Sequence, residues 1–198
     1  MVINEKFLCS AGAEYIKYSP GEYVFREGGT PLFYYQIIKG QLKLNTYNTD
    51  GKEFILNIVS DRESFAESLL FSEKAYPMDA VALTECTILR LCKRNFLSLL
   101  ELYPQLYLEV CTGLSHNLYN QYNTLHRNSS PKPADRLLGL LSHLKNSHKE
   151  KEAYSFMVPL TRQQLASCTG ICVETAIRTI KSLERKKIVK IKDRKIYF

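Results

Sequence analysis

Hydrophobic and polar positions follow two different rhythms along the 198 residues of this chain. From Ile16 to about Arg94 they alternate in short runs, the period of half-buried strands. In YIKYSPGEYVFREGG such runs are broken by Pro20-Gly21 and Gly28-Gly29. YYQIIKGQLKLNTY continues the alternation, with Ile37 and Ile38 before Gly40 and Leu42 and Leu44 after it. Asp50-Gly51, between LKLNTY and EFILNIV, signals a hairpin, and DAVALT with CTILRLC suggests a further strand pair. Many short strands joined by Gly-rich turns point to a small antiparallel barrel or roll.

After Arg94 the rhythm becomes helical. Residues 95–101 predict a short helix, and Pro104 opens a long one running to about Arg127. Along the long helix Leu108, Cys111, Ser115, Leu118, Tyr122 and Leu125 recur at heptad spacing, the seam of a dimer helix. Leu106, Val110 and Leu114 form an adjacent stripe suited to packing on the roll. Asn128 to Pro133, NSSPKP, is a hinge-like break. An amphipathic helix from Ala134 to Lys149 follows, with Leu137, Leu140, Leu141 and Leu144 inward, and then a strand in YSFMVPL.

The stretch from Leu160 to Lys187 predicts two short helices joined by a tight turn. Thr161 is positioned as an N-cap with Gln164 as its capping-box partner. Gly170 takes the turn, where positive φ favours glycine. The second helix puts Ala176, Ile180 and Leu183 on one face and Glu174, Ile177, Arg178 and Lys181 on the other, the layout of a helix-turn-helix. From Ile188 to Phe198 two alternating runs flank Lys192, Asp193 and Arg194, a hairpin that would form a wing. The expected fold class is α+β: an N-terminal antiparallel β-roll of the jelly-roll type, a long dimerisation helix and a C-terminal winged helix-turn-helix. The expected boundaries are 1–103 for the roll, 104–130 for the dimer helix and hinge, and 131–198 for the winged domain.

Charge sharpens this division. The net charge of +7 combines −3 over residues 1–126 with +10 over residues 127–198. A basic C-terminal third that coincides with a helix-turn-helix is the footprint of a nucleic-acid-binding domain. Arg178 is suited to a bidentate contact with guanine and Glu174 to accepting from a cytosine amino group. Arg162, Gln163, Thr175, Lys181 and Lys192 are candidates for backbone phosphates. The expected partners are double-stranded DNA and a second copy of the chain.

Other chemistries find little support. The cysteines at 9, 86, 92, 111, 168 and 172 form no Cys-x-x-Cys pair, and most are expected to be buried small hydrophobes. Cys168 and Cys172 bracket the helix-turn-helix turn, where they would meet oxidants. The histidines at 116, 126, 143 and 148 fall in helices or at a helix end, with no His-x-His in the β-region. No phosphate loop, nucleophile elbow or metal site is expected, and an enzyme is not indicated. No stretch approaches the roughly 20 apolar residues of a membrane span. The N-terminus has no basic segment followed by an apolar run, so a cytoplasmic location is expected.

LTRQQLAxxxG followed by VETAIRTIKSLE resembles the DNA-binding motif of the Crp/Fnr superfamily of bacterial transcription regulators. PGEYVFREGG, YYQIIKGQLKLNTY and ESFAESLLF resemble the same superfamily's effector roll. The resemblance implies a homodimer on a pseudo-palindromic site, with E-T-x-x-R, here Glu174 to Arg178, reading a TGA-type half-site. It also implies RNA polymerase as a partner and places Glu67, Ser68, Gln121 and Tyr122 at an effector pocket. Cyclic-nucleotide-binding members carry F-G-E-L and then R-S-A or R-T-A, whose Glu and Arg hold ribose and phosphate. Here the segments read Phe65-Ala66-Glu67-Ser68 and Pro77-Met78-Asp79-Ala80, with Pro77 in the arginine's place. The expectation is a regulator not gated by cyclic AMP, with no cofactor and an unknown small-molecule effector left open. The alternative is a cytosolic small-molecule or redox sensor acting through a protein partner.

Overall fold

The computed structural model describes residues 3–146 and 152–198. They form two compact units, divided between Tyr119 and Asn120.

The first unit begins with α1 (Glu5–Ser10), capped by the Asn4 side chain on the Lys6 amide. Eight strands follow: β1 (Glu14–Tyr18), β2 (Tyr23–Phe25), β3 (Phe33–Lys39), β4 (Leu42–Tyr47), β5 (Glu53–Val59), β6 (Ser64–Phe65), β7 (Asp79–Ala82) and β8 (Cys86–Cys92). A short 3-10 helix, Glu67–Phe71, lies between β6 and β7. The strands make two four-stranded sheets, ordered β1-β8-β3-β6 and β2-β7-β4-β5. The expected roll is therefore present, and Asp50-Gly51 does turn β4 into β5.

DAVALT and CTILRLC are strands but not partners. β7 pairs with β2 and β4, whereas β8 pairs with β1 and β3. Leu83 and Thr84 carry the chain between the sheets, their amides bonded to the Gln41 carbonyl. Alternating side chains state that a segment is a strand, but not which edge it joins.

Side chains from both sheets fill the roll. Phe25, Tyr35, Phe65 and Tyr76 form an aromatic group among Ile37, Leu42, Leu44, Val59 and Ile88. The Phe25 and Tyr76 rings stack at 3.7 Å and those of Tyr35 and Phe65 at 5.3 Å. A second cluster joins Ile3, Leu8, Tyr34, Leu70, Leu89 and Leu91 to α2 (Lys93–Leu102) and to the first half of α3 (Gln105–Asn128) through Leu106 and Val110. This is the stripe expected to pack on the roll. The heptad positions Leu108, Cys111, Ser115, Leu118, Tyr122 and Leu125 are all exposed.

The second unit holds the last turns of α3, then α4 (Pro133–Asn146), α5 (Arg162–Thr169), α6 (Val173–Arg185), β9 (Lys190–Lys192) and β10 (Lys195–Tyr197). Leu137, Leu140 and Leu141 of α4 are buried with Leu165 and Ala166 of α5 and Ala176, Ile180 and Leu183 of α6. The expected extension of α4 to Lys149, and His148 with it, lies outside the described residues. YSFMVPL is reduced to one bridge, Met157 to Tyr197, although Phe156 and Val158 still bond the backbone beside β10. Asp193 and Arg194 both take positive φ, 49° and 62°, as a tight primed hairpin turn requires.

Among the described residues only Cys86 is buried. Cys9, Cys111 and Cys172 are exposed, and Cys92 and Cys168 are partly so, which corrects the expectation of mostly buried thiols. All six lie in or beside helices or at strand ends, where burial depends on tertiary placement and not on residue type.

Candidate nucleic-acid interface and roll interior

The helix-turn-helix is built by local rules. Thr161 Oγ1 accepts from the Gln164 amide at 3.1 Å, and Gln164 Oε1 accepts from the Thr161 amide at 2.8 Å, a complete capping box. At the other end of α5, Gly170 sits at φ 65° and its N–H bonds the Ala166 carbonyl. Ala166 and Ile171 are buried, so α6 starts three residues after the glycine from a fixed turn.

The apolar side of α6 is buried and its outer side is free. Glu174, Ile177, Arg178, Lys181 and Arg185 together line a shallow concave surface. Glu174, Arg178 and Lys181 are exposed on it, and none is consumed by a protein ion pair among the described residues. An arginine and a carboxylate one helical turn apart, both outside any ion pair among the described residues, are placed to meet base edges. Arg185 was missed by the sequence reading. The spacing of seven from Arg178 signals it, since that returns to the same helix face.

The backbone-contact candidates divide. Gln163 and Lys192 are exposed and available. One guanidinium nitrogen of Arg162 donates to the Arg194 carbonyl at 3.1 Å, tying the start of α5 to the wing turn and leaving its remaining donors. The Thr175 hydroxyl is paired with the Cys172 thiol at 2.9 Å. That contact lowers the thiol pKa from its ordinary value.

In the roll, Glu67 points inward and Ser68 outward. Glu67 is 1 % exposed. Its Oε1 accepts from Asn117 Nδ2 of α3 at 3.0 Å, while Oε2 has no donor among the described residues. Burial raises its carboxyl pKa above the ordinary value. Asn117 was not among the expected pocket residues; Gln121 and Tyr122, which were, are exposed further along the helix. Ala66 holds a left-handed backbone, φ 59°, without being glycine. Asp79 Oδ1 accepts from the Glu27 amide at 2.8 Å. Among the described residues no group of His, Cys, Asp and Glu has metal-binding geometry, and no helix is long and apolar enough to cross a membrane.

Comparison with known families agrees with this architecture. The cyclic nucleotide-binding domain model matches residues 15–103, and the Crp-like helix-turn-helix domain model matches residues 135–198. The chain is similar to the cAMP-activated global transcriptional regulator CRP of Haemophilus influenzae, 26 % identical over 82 % of this chain and 73 % of that protein. It is also similar to the HTH-type transcriptional regulator ArcR of Staphylococcus aureus, 27 % identical over 90 % of this chain and 76 % of that one. Among solved structures, the c-di-GMP responsive global regulator CLP of Xanthomonas campestris superposes with a TM-score of 0.82. That likeness spans 98 % of this chain and 96 % of the other at 22 % identity. FixK2 of Bradyrhizobium japonicum gives 0.80 over 94 % and 92 % of the two chains, at 16 % identity. Roll and winged helix together define the class, a Crp/Fnr-type DNA-binding transcription regulator. This chain belongs to the Crp/Fnr family.

Proposed function

We propose that the protein acts as a homodimer on a pseudo-palindromic DNA site, one α6 entering the major groove of each half-site, and that cyclic AMP does not gate it. The observation that carries the DNA reading is the free outer face of α6, where Glu174 and Arg178 stand exposed between cationic neighbours. Arg178 reads a guanine and Glu174 a cytosine amino group, as in a TGA-type arm. Arg162, Gln163, Thr175, Lys181 and Lys192 position the protein on phosphates, Arg162 with the donors its contact to Arg194 leaves over and Thr175 by turning its hydroxyl from the Cys172 thiol to the phosphate.

The exposed seam of α3 supports self-association, because Leu108 is 73 % exposed and Leu125 68 %. A helix that leaves leucines in water at heptad spacing is completed by a second copy. On this reading residues 1–103 are the roll, 104–130 the dimer helix and hinge, and 131–198 the DNA-binding domain. The regulator works in the cytoplasm with RNA polymerase as partner, and it performs no catalysis.

Independence from cyclic AMP is supported by the roll interior. Stacked aromatic rings occupy it, Pro77 offers no donor to a phosphate, and Asn117 already satisfies one oxygen of Glu67. Glu67 and Ser68 of the roll remain candidates for a different small-molecule effector, as do Gln121 and Tyr122 on α3.

Selection from a random duplex library with purified protein and no added ligand tests the proposal. Recovery of a palindrome with TGA-like arms, unchanged by cyclic AMP, is the expected result. Enrichment that requires cyclic AMP would overturn the independence claim. Salt-sensitive binding to every duplex without enrichment would overturn the ligand-free, sequence-specific reading.

A further inference from the structure

The C-terminal end of α5 is held from outside the helix-turn-helix. The last carbonyls of any α-helix lack intrahelical donors and need partners. Here the Cys168 carbonyl accepts from Asn128 Nδ2, at the end of α3, at 3.2 Å. The Thr169 carbonyl accepts from Arg136 Nη1 at 3.3 Å. The same guanidinium donates through Nε to the Ser130 carbonyl in the hinge at 2.6 Å. One planar arginine thus bridges two carbonyls, one in the hinge and one at the end of α5, and brings positive charge to a helix C-terminus.

Neighbouring residues make this join tight. Gly139 lets the stem of Arg127 lie against α4, since a Cβ there would come within 2.9 Å of Arg127 Cδ. Arg127 Nη2 in turn donates to Thr124 Oγ1 at 2.8 Å, within the last turns of α3. From the clamped carbonyl of Thr169, only Gly170 to Cys172 intervene before α6 begins. Ile171 is buried, and the Gly170 and Ile171 amides both bond the Ala166 carbonyl. The turn therefore has little freedom of its own, and its position is that of the carbonyls preceding it.

We propose that Asn128 and Arg136 are positioning residues for DNA reading: they clamp the end of α5 to the end of α3 and the hinge, and so set where α6 presents Glu174 and Arg178. This rests on the DNA-reading function proposed above. Neither residue touches DNA; each acts through the turn.

The test uses the full chain with Asn128→Ala, Asn128→Asp, Arg136→Lys and Arg136→Gln. Amide hydrogen exchange without DNA reports the clamp itself. Exchange of the Gly170 and Ile171 amides is expected to quicken by about two- to tenfold, the net worth of a typical hydrogen bond. Asn128→Asp should exceed Asn128→Ala, because it sets a carboxylate against a carbonyl. Arg136→Lys should behave like Arg136→Gln, because an ammonium is a point donor and loses the planar bridge.

With DNA, the preference for the selected site over a scrambled duplex should fall by about two- to tenfold while the salt dependence stays unchanged. The ratio is measured on the binding-competent fraction, so partial unfolding does not move it. Unchanged exchange in all four variants would overturn the clamp. Quickened exchange with an unchanged preference would overturn its role in reading. Equal loss on all duplexes with a smaller salt slope would show that Arg136 contacts phosphate instead. If the wild type selects no site, the DNA-reading proposal fails alone, and the exchange measurement still decides the clamp. If an Arg136 variant does not fold, the Asn128 pair carries the test.

Discussion

Asn117 and Glu67 lie 50 positions apart in sequence and meet at 3.0 Å, the amide of α3 donating to a carboxylate buried in the roll. The contact leaves Glu67 Oε2 without a donor among the described residues, on a side chain that is 1 % exposed. A half-satisfied buried carboxylate disfavours its own ionisation, which is why its pKa is raised.

The raised carboxyl makes the roll's stability depend on pH with a definite sign. The folded state holds the Glu67 proton more tightly than the unfolded chain does. Its stabilising effect is complete below the ordinary value of 4.5 and is lost as pH rises through the higher folded value. Glu67→Gln removes this dependence while keeping an acceptor for Asn117. The melting temperature of the variant relative to wild type should therefore climb from pH 4.5 to the highest pH at which the fold holds. A difference that stays constant across that range would show that Glu67 is not the titrating group.

Ala66, immediately before that carboxylate, holds the left-handed conformation that glycine adopts without strain. Ala66→Gly should stabilise the roll by about 1 kcal/mol, the left-handed penalty less the extra chain entropy of glycine. Denaturant unfolding with an unchanged m-value reads this directly. A loss of stability would place the strain elsewhere.

The seam on α3 makes a prediction about assembly. Leu118→Glu with Leu125→Glu puts like charges along both sides of a helix pair, at positions that are exposed in the single chain. Sedimentation should then show a monomer of 22.8 kDa that keeps its roll and winged helix folded. A variant that still sediments as the proposed dimer would move the interface off this helix.

What could be read from sequence follows the range of the interaction. The Thr161–Gln164 capping box and the Gly170 turn are contacts within a few residues, and both stand where the pattern put them. The strands, the long helix and the exposed face of α6 were legible because their periods are local. Pairing was not: β7 and β8 are neighbours in the chain yet belong to different sheets. The Glu67–Asn117 bond and the Arg136–Thr169 bond, 33 residues apart, escaped because nothing in either segment names its partner. Cysteine burial failed for the same reason, since a thiol is compatible with either side of a helix.

Arg178 and Lys181 lie three residues apart on the exposed face of α6, and their roles separate in one experiment. Arg178→Ala should cost ~1–3 kcal/mol on the selected site and relax one base position, because a bidentate guanine contact carries sequence information. Lys181→Ala should weaken binding to all duplexes alike and reduce the salt slope by about 1, because a phosphate contact carries none. Titrations of both variants against the selected site and single-base variants of it, at two salt concentrations, distinguish the two signatures. Equal loss on every sequence for Arg178→Ala would make it a backbone contact and leave Glu174 as the remaining base reader on that face.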